Sequence, residues 1–107
     1  MSHVALIKGF MPALETARGT IVNISSVAGL AGTSFRTTYS ASKFAIAGFS
    51  KSLRSEVKSI GVKVLMVYPG YVQTGVSKNA LTGNKDQRLG KTDLNIANGM
   101  RVDECCR

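Results

Sequence analysis

The sequence predicts an α/β chain holding about one βαβ unit, with a helix ahead of it and the domain around it incomplete. Three observations carry this. Residues 3–17 and 38–59 show apolar positions at helical period, runs 20–25 and 62–67 are short, apolar and rich in β-branched residues, and the longer helical pattern lies between those runs. Strands this apolar, joined by a helix, pair in parallel through a right-handed crossover.

Taken in order, His3 to Ala17 places Val4, Ile7, Met11 and Leu14 at helical spacing, with Leu6, Phe10 and Ala13 alongside. The result is an amphipathic helix with a wide apolar face. Pro12 removes one backbone bond within it and should bend it. His3, the sole histidine, reads as a surface or packing residue. Gly19 reads as the helix stop. Thr20 to Ser25 reads as a buried strand. Its Asn23-Ile24-Ser25 spells a glycosylation sequon that burial would put out of reach. Val27 to Thr37, with Gly29 and Gly32 and no clear period, reads as a loop. Thr37 or Thr38 is expected to cap the next helix, which runs to about Ser59. Ile46, Phe49, Leu53, Val57 and Ile60 form its core stripe. A second stripe of Ala41, Ala45, Gly48 and Ser52 is small throughout, and suits either close packing on its own sheet or a helix of a second subunit. Gly61 ends the helix and Val62 to Val67 is a second buried strand. Pro69-Gly70 breaks that strand at its carboxyl end, where open α/β sheets place ligands. Beyond Thr74 the chain turns polar, 83–99 reads as an irregular loop, and Val102 onward opens another helix.

With 107 residues the chain suits one domain, read as an ordered core over 1–82 followed by loop and helix start over 83–107. Its 44% hydrophobic content is ordinary for a globular protein. No apolar run is long enough to span a membrane, and MSHVALIKGF lacks the marks of a signal peptide. The net charge of +8 comes from scattered Lys and Arg without aromatic interleaving. A solvated surface, not nucleic-acid binding, is the expectation. Cys105 and Cys106 match neither zinc spacing nor a C-x-x-C redox pair, and stand one residue short of a prenylation box. They read as reduced, incidental thiols, and no metal site is expected. Gly90-Lys91-Thr92 fails as a phosphate loop because Lys85 stands where the earlier Gly is needed, and no G-x-G-x-x-G occurs.

The chemistry concentrates between Ser26 and Ser52. Tyr39 and Lys43 are four residues apart in the long helix, so their side chains stack one turn apart on one face. An ammonium beside a phenol favours the phenolate, which suits proton transfer. Ser26 lies thirteen residues before Tyr39, at the end of the first strand.

Gly19-Thr-Ile-Val-Asn-Ile-Ser-Ser26, Tyr39-Ser-Ala-Ser-Lys43 and Tyr68-Pro-Gly-Tyr-Val-Gln-Thr74 fall in the order and spacing of the short-chain dehydrogenases/reductases, and the chain resembles that family over most of its length. Val76-Ser-Lys-Asn-Ala-Leu-Thr-Gly and Gly90-Lys-Thr-Asp are similar to the dehydrogenase/reductase family member 7 group. The resemblance implies a partial Rossmann-like, doubly wound parallel sheet, a nicotinamide cofactor (NAD or NADP, not distinguished), and hydride transfer to a carbonyl or from an alcohol. It implies Tyr39 as general acid/base, Lys43 holding the nicotinamide ribose and acting on Tyr39, and Ser26 hydrogen-bonding the substrate oxygen. Pro69 and Gly70 would floor the nicotinamide, and the Val72 backbone and Thr74 hydroxyl would meet its carboxamide or phosphates. Thr74 also reads as a plain helix cap. Tyr68 departs from the Asn or Ser often found before Pro-Gly. The loops at 33–36 and 76–82 suit lipophilic carbonyls or alcohols, and members commonly form homo-oligomers. The family's Gly-rich cofactor turn and catalytic Asn find no match. The chain is therefore expected to be a fragment, inactive alone, with a non-catalytic partner of a full-length subunit as the alternative. Localisation stays open between the cytoplasm and an internal membrane such as the endoplasmic reticulum, reached through an anchor outside these residues.

Overall fold

The computed structural model describes residues 2–76, 78, 79, 90 and 93–107. They form two compact units, Met1–Pro69 and Gly70–Arg107. The first contains α1 (Ser2–Ala17), β1 (Thr20–Ile24), a 3-10 turn (Val27–Gly29), α2 (Thr37–Glu56) and β2 (Lys63–Val67). The second contains α3 (Leu94–Ala97) and α4 (Val102–Cys105). No helix among the described residues is long and apolar enough to cross a membrane.

β1 and β2 pair in parallel, from Thr20 opposite Lys63 to Ile24 opposite Val67, with α2 as the connection the sequence predicts. The core joins Ile7 of α1, Ile21 of β1, Leu53 of α2 and Val64 of β2, with Val57 and Val62 beside them. Met11, Leu14, Phe49 and Ile60 pack around it. Both helices thus lie on the same face of the strand pair. Each side chain fully buried there contributes about 1.5–3 kcal/mol.

That arrangement corrects the expectation of wholly buried strands. β1 alternates between exposed and buried positions, and β2 begins the same way. Val22 and Leu65 face each other, as do Ile24 and Val67, and all four are 44–60% exposed. One layer of helices covers one face; the apolar composition of the other suits a second layer. The wide face of α1 is likewise only partly used. Ile7 is buried, while Leu6 and Phe10 are exposed.

The helix ends also differ in detail. The Gly19 N–H donates to the Leu14 carbonyl at 2.8 Å and the Arg18 N–H to that of Glu15 at 3.2 Å, which is a Schellman closure. Its left-handed residue is Arg18, at φ 48°, not Gly19. What Gly19 provides is room, since a Cβ there would lie 2.9 Å from Leu14 Cδ2. α2 is entered from Arg36, whose carbonyl accepts from the Ser40 N–H at 2.8 Å, so Thr37 and Thr38 lie inside the helix instead of capping it. α2 stops at Glu56, short of Ser59. Val57 and Val62 are both buried, and the turn between them, closed by left-handed Gly61 at φ 79°, returns the chain to the sheet. The small stripe of Ala41, Ala45, Gly48 and Ser52 is exposed.

On β2, residues 63, 65 and 67 direct their hydrogen bonds toward β1, as Lys63 N–H to Gly19 O and Ser25 N–H to Val67 O show. Val64 therefore points its carbonyl outward, where Arg54 Nε donates to it at 2.9 Å.

In the second unit, Val72 forms a parallel bridge with Met100. Asp93 Oδ1 accepts from the Asn95 N–H at 2.8 Å and caps the single turn of α3, whose Ile96 is buried. The predicted loop over 83–99 is thus corrected at 94–97; within that range 83–89, 91 and 92 lie outside the described residues. α4 begins at Val102 as expected, with Glu104 accepting from the Arg101 N–H at 3.4 Å. Cys105 and Cys106 are exposed free thiols.

Candidate active site

Hydrogen bonding between the strand segments continues beyond β1 and β2. Ser25 N–H donates to the Val67 carbonyl at 2.8 Å and Val27 N–H to that of Pro69 at 3.2 Å. Ser26 sits between these bonds in extended conformation, φ −163° and ψ 160°. Its Oγ accepts from the Ala28 N–H at 3.2 Å, capping the 3-10 turn. That bond takes one acceptor site of the oxygen and leaves the hydroxyl proton available to donate. Ser26 is half-buried.

Tyr39 and Lys43 occupy the amino-terminal part of α2, on one face as their spacing predicts. Lys43 Nζ lies 5.7 Å from the centroid of the Tyr39 ring, within cation–π range. The same ammonium donates to the Ile24 carbonyl at 3.5 Å, at the carboxyl end of β1. An ammonium carries three donors, so two remain for a ligand. The Tyr39 hydroxyl meets no hydrogen-bond partner among the described residues, and the side chain is 42% exposed. Lys43 also borders a cleft of about 420 Å³ lined by His3, Val4, Ser42, Ile46 and Phe49.

Gly29 joins the Ser26 turn to α2. A Cβ at Gly29 would lie 2.7 Å from Ser25 Oγ and 2.9 Å from the Lys43 carbonyl oxygen. The turn can approach this closely only without a side chain. Ser25 Oγ itself donates to the Lys43 carbonyl at 3.2 Å. The elements carrying Ser26 and Lys43 are therefore in direct contact.

Pro69 belongs to this unit and holds the Ser26 turn through its carbonyl. Gly70, Val72 and Thr74 belong to the second unit. Gly70 is exposed, and a Cβ there would meet nothing within 4 Å. The bridge at Val72 is made by Gln73 N–H to Met100 O and Met100 N–H to Tyr71 O, both 2.9 Å. The N–H and carbonyl of Val72 take no part in it. Thr74 lines a cleft of about 370 Å³ with Gln73, Gly75, Lys78, Ile96 and Ala97.

Four polar residues near the site are buried without the sequence reading having given them a role in it: Asn23, Ser25, Ser40 and Ser50. The signal was present, because Ser50 interrupts the apolar stripe one turn after Ile46 and Asn23 stands among Ile and Val. The burial of Asn23 agrees with setting its sequon aside. No cluster of metal-ligating side chains occurs among the described residues.

The family model for short chain dehydrogenases matches residues 1–85. The chain is 41% identical over 102 residues to dehydrogenase/reductase SDR family member 7B of Mus musculus, an alignment covering 94% of this chain and 31% of that protein. It is 44% identical over 97 residues to the dehydrogenase/reductase SDR family protein 7-like of Anopheles gambiae, covering 90% and 30%. A solved short-chain dehydrogenase from Streptomyces avermitilis superposes with a TM-score of 0.61 at 36% identity, over 66% of this chain and 27% of the other. The chain thus spans about a third of the length of the curated relatives it matches.

Proposed function

The chain belongs to the short-chain dehydrogenase family, and on that premise we propose that it carries the proton-transfer part of a nicotinamide-dependent oxidoreductase site acting on a lipophilic carbonyl or alcohol. The observation that carries the reading is the ammonium of Lys43, set over the Tyr39 ring at the carboxyl end of β1 and beside the turn opened by Ser26.

The donor set suits the nicotinamide-ribose end of NAD or NADP. The two remaining Lys43 donors match a pair of vicinal ribose hydroxyls. Bound there, the nicotinamide would supply or accept hydride. Ser26 gives its hydroxyl proton as a hydrogen bond to the substrate oxygen and orients it. Tyr39 gives a proton to that oxygen in reduction and takes one from it in oxidation. The Lys43 ammonium, over the Tyr39 ring and bonded to the Ile24 carbonyl, places the phenol beside the end of β1. Pro69 holds the Ser26 turn through its carbonyl.

The test is reduction of a panel of lipophilic carbonyls with NADH and NADPH, using the longest reading frame that contains these residues. Tyr39→Phe keeps the ring and removes the proton, so turnover should fall about a hundredfold or more. Near-wild-type turnover in that variant would refute the assignment.

A second reading, non-catalytic association with a full-length subunit of the same family, is favoured by the exposed Leu6 and Phe10 of α1 and the small outward stripe of α2. It predicts co-purification of the 107-residue chain with such a subunit. A chain that stays monomeric in its presence ends that reading.

A further inference from the structure

Besides the bond from Lys43 Nζ to the Ile24 carbonyl, two polar links cross to α2, one from Asn23 of β1 and one from Ser25 just after it. Asn23 Nδ2 donates to Ser50 Oγ at 2.7 Å, and both residues are buried, Ser50 completely. Ser25 Oγ donates to the Lys43 carbonyl at 3.2 Å. Asn23 and Ser25 are two residues apart in extended chain, so both point to the helix-covered face. Ser50 and Lys43 are seven residues apart, nearly two full turns, so both face β1. The two links follow β1 forward and α2 backward. One such link leaves a helix free to pivot about it, whereas two separated along the axis fix slide and rotation together. Apolar packing is non-directional and tolerates small sliding; a hydrogen bond of defined length and angle does not.

We infer that Ser25 and the Asn23–Ser50 pair are positioning residues, a two-point brace that sets the Lys43 ammonium over Tyr39 and level with the end of β1. Its purpose rests on the oxidoreductase reading, while its geometry does not. Ser25 is the nearer point, because it touches the element that carries Lys43, precedes Ser26 in the chain, and lies under Gly29 of the Ser26 turn. Replacing its hydroxyl by hydrogen leaves no orphan, since a helical carbonyl such as that of Lys43 keeps its own backbone bond. Ser25→Ala therefore removes the link with little other damage.

The test has two arms. In the 107-residue chain, the Lys43 ε-methylene NMR resonances, assigned through their loss in Lys43→Arg, should stand apart from those of the other lysines because of the Tyr39 ring. Ser25→Ala should return them to the common position while the methyl resonances of Ile7, Leu53 and Val57 stay in place. Should that variant lose its core methyl pattern, Ser25→Cys, with only a weak donor, carries the same expectation. In the longest reading frame containing these residues, Ser25→Ala should lower kcat about tenfold and leave the KM for the carbonyl substrate within about twofold, the pattern of a displaced group and not of lost substrate binding. Lys43 resonances that stay displaced in a folded Ser25→Ala chain would overturn the brace, as would an unchanged kcat. An unchanged turnover in Tyr39→Phe strikes at the oxidoreductase reading instead, and leaves the resonance arm to decide the brace.

Discussion

Removing the Ser50 hydroxyl isolates the energetic weight of the buried polar pair. Ser50→Ala takes the acceptor from Asn23 Nδ2, which sits on a residue only 5% exposed. The lost bond is worth about 1 kcal/mol, and stranding a buried amide costs about 1–3 kcal/mol. A fall of about 2 kcal/mol is therefore expected. The reverse change, Asn23→Val, should cost less, about 1 kcal/mol, because a helical Ser hydroxyl can turn to the carbonyl four residues back and Val suits a strand. The double variant strands nothing and should lie within about 1 kcal/mol of wild type. The interaction energy of this cycle should then be about 2–3 kcal/mol. Urea unfolding followed by the methyl signals of Ile21 and Leu53 reads the unit that contains the pair. Single changes that each cost less than about 0.5 kcal/mol, or a double change equal to their sum, would refute the reasoning.

Two further changes probe local geometry. Gly29→Ala forces a methyl against Ser25 Oγ and the Lys43 carbonyl, and should cost about 1–3 kcal/mol in the same unfolding assay. A cost below about 0.5 kcal/mol would show that the turn moves aside freely. Arg18→Gly relieves a left-handed non-glycine residue at φ 48°, worth about 1–2 kcal/mol against about 0.4–1 kcal/mol for the greater freedom of Gly in the unfolded chain, so stability should rise by about 0.5–1 kcal/mol. An unchanged Leu14 chemical shift in Arg18→Gly relative to wild type checks that the Schellman closure survives.

Helical spacing located both long helices, and short apolar β-branched runs on either side of the second helix located both strands and their parallel pairing. Apolar composition misled where coverage is one-sided. Val22, Ile24, Leu65 and Val67 read as interior by composition, yet α1 and α2 lie together on the opposite face. The helix ends were blurred for a different reason: Arg18 takes the left-handed turn usually left to glycine, and Arg36 precedes α2 where Thr37 or Thr38 was the expected cap. α3 is a single turn, too short for a period, and only Asp93 signals it. At the candidate site, the spacing of Tyr39 and Lys43 was enough to predict a shared helix face, because four residues on a helix leave no other arrangement. The seating of Lys43 was not legible, since Ser25, Gly29 and Ser50 act through contacts with residues far away in the chain.

The bond from Arg54 to Val64 bears on what can join the sheet. The carbonyl it engages is one that a third strand, laid along the outer rim of β2, would use for its first pairing. Such a newcomer would share that oxygen, which has two acceptor sites, with the guanidinium. Arg54 thereby sets a charge on that rim, the kind of feature that disfavours edge-to-edge strand addition.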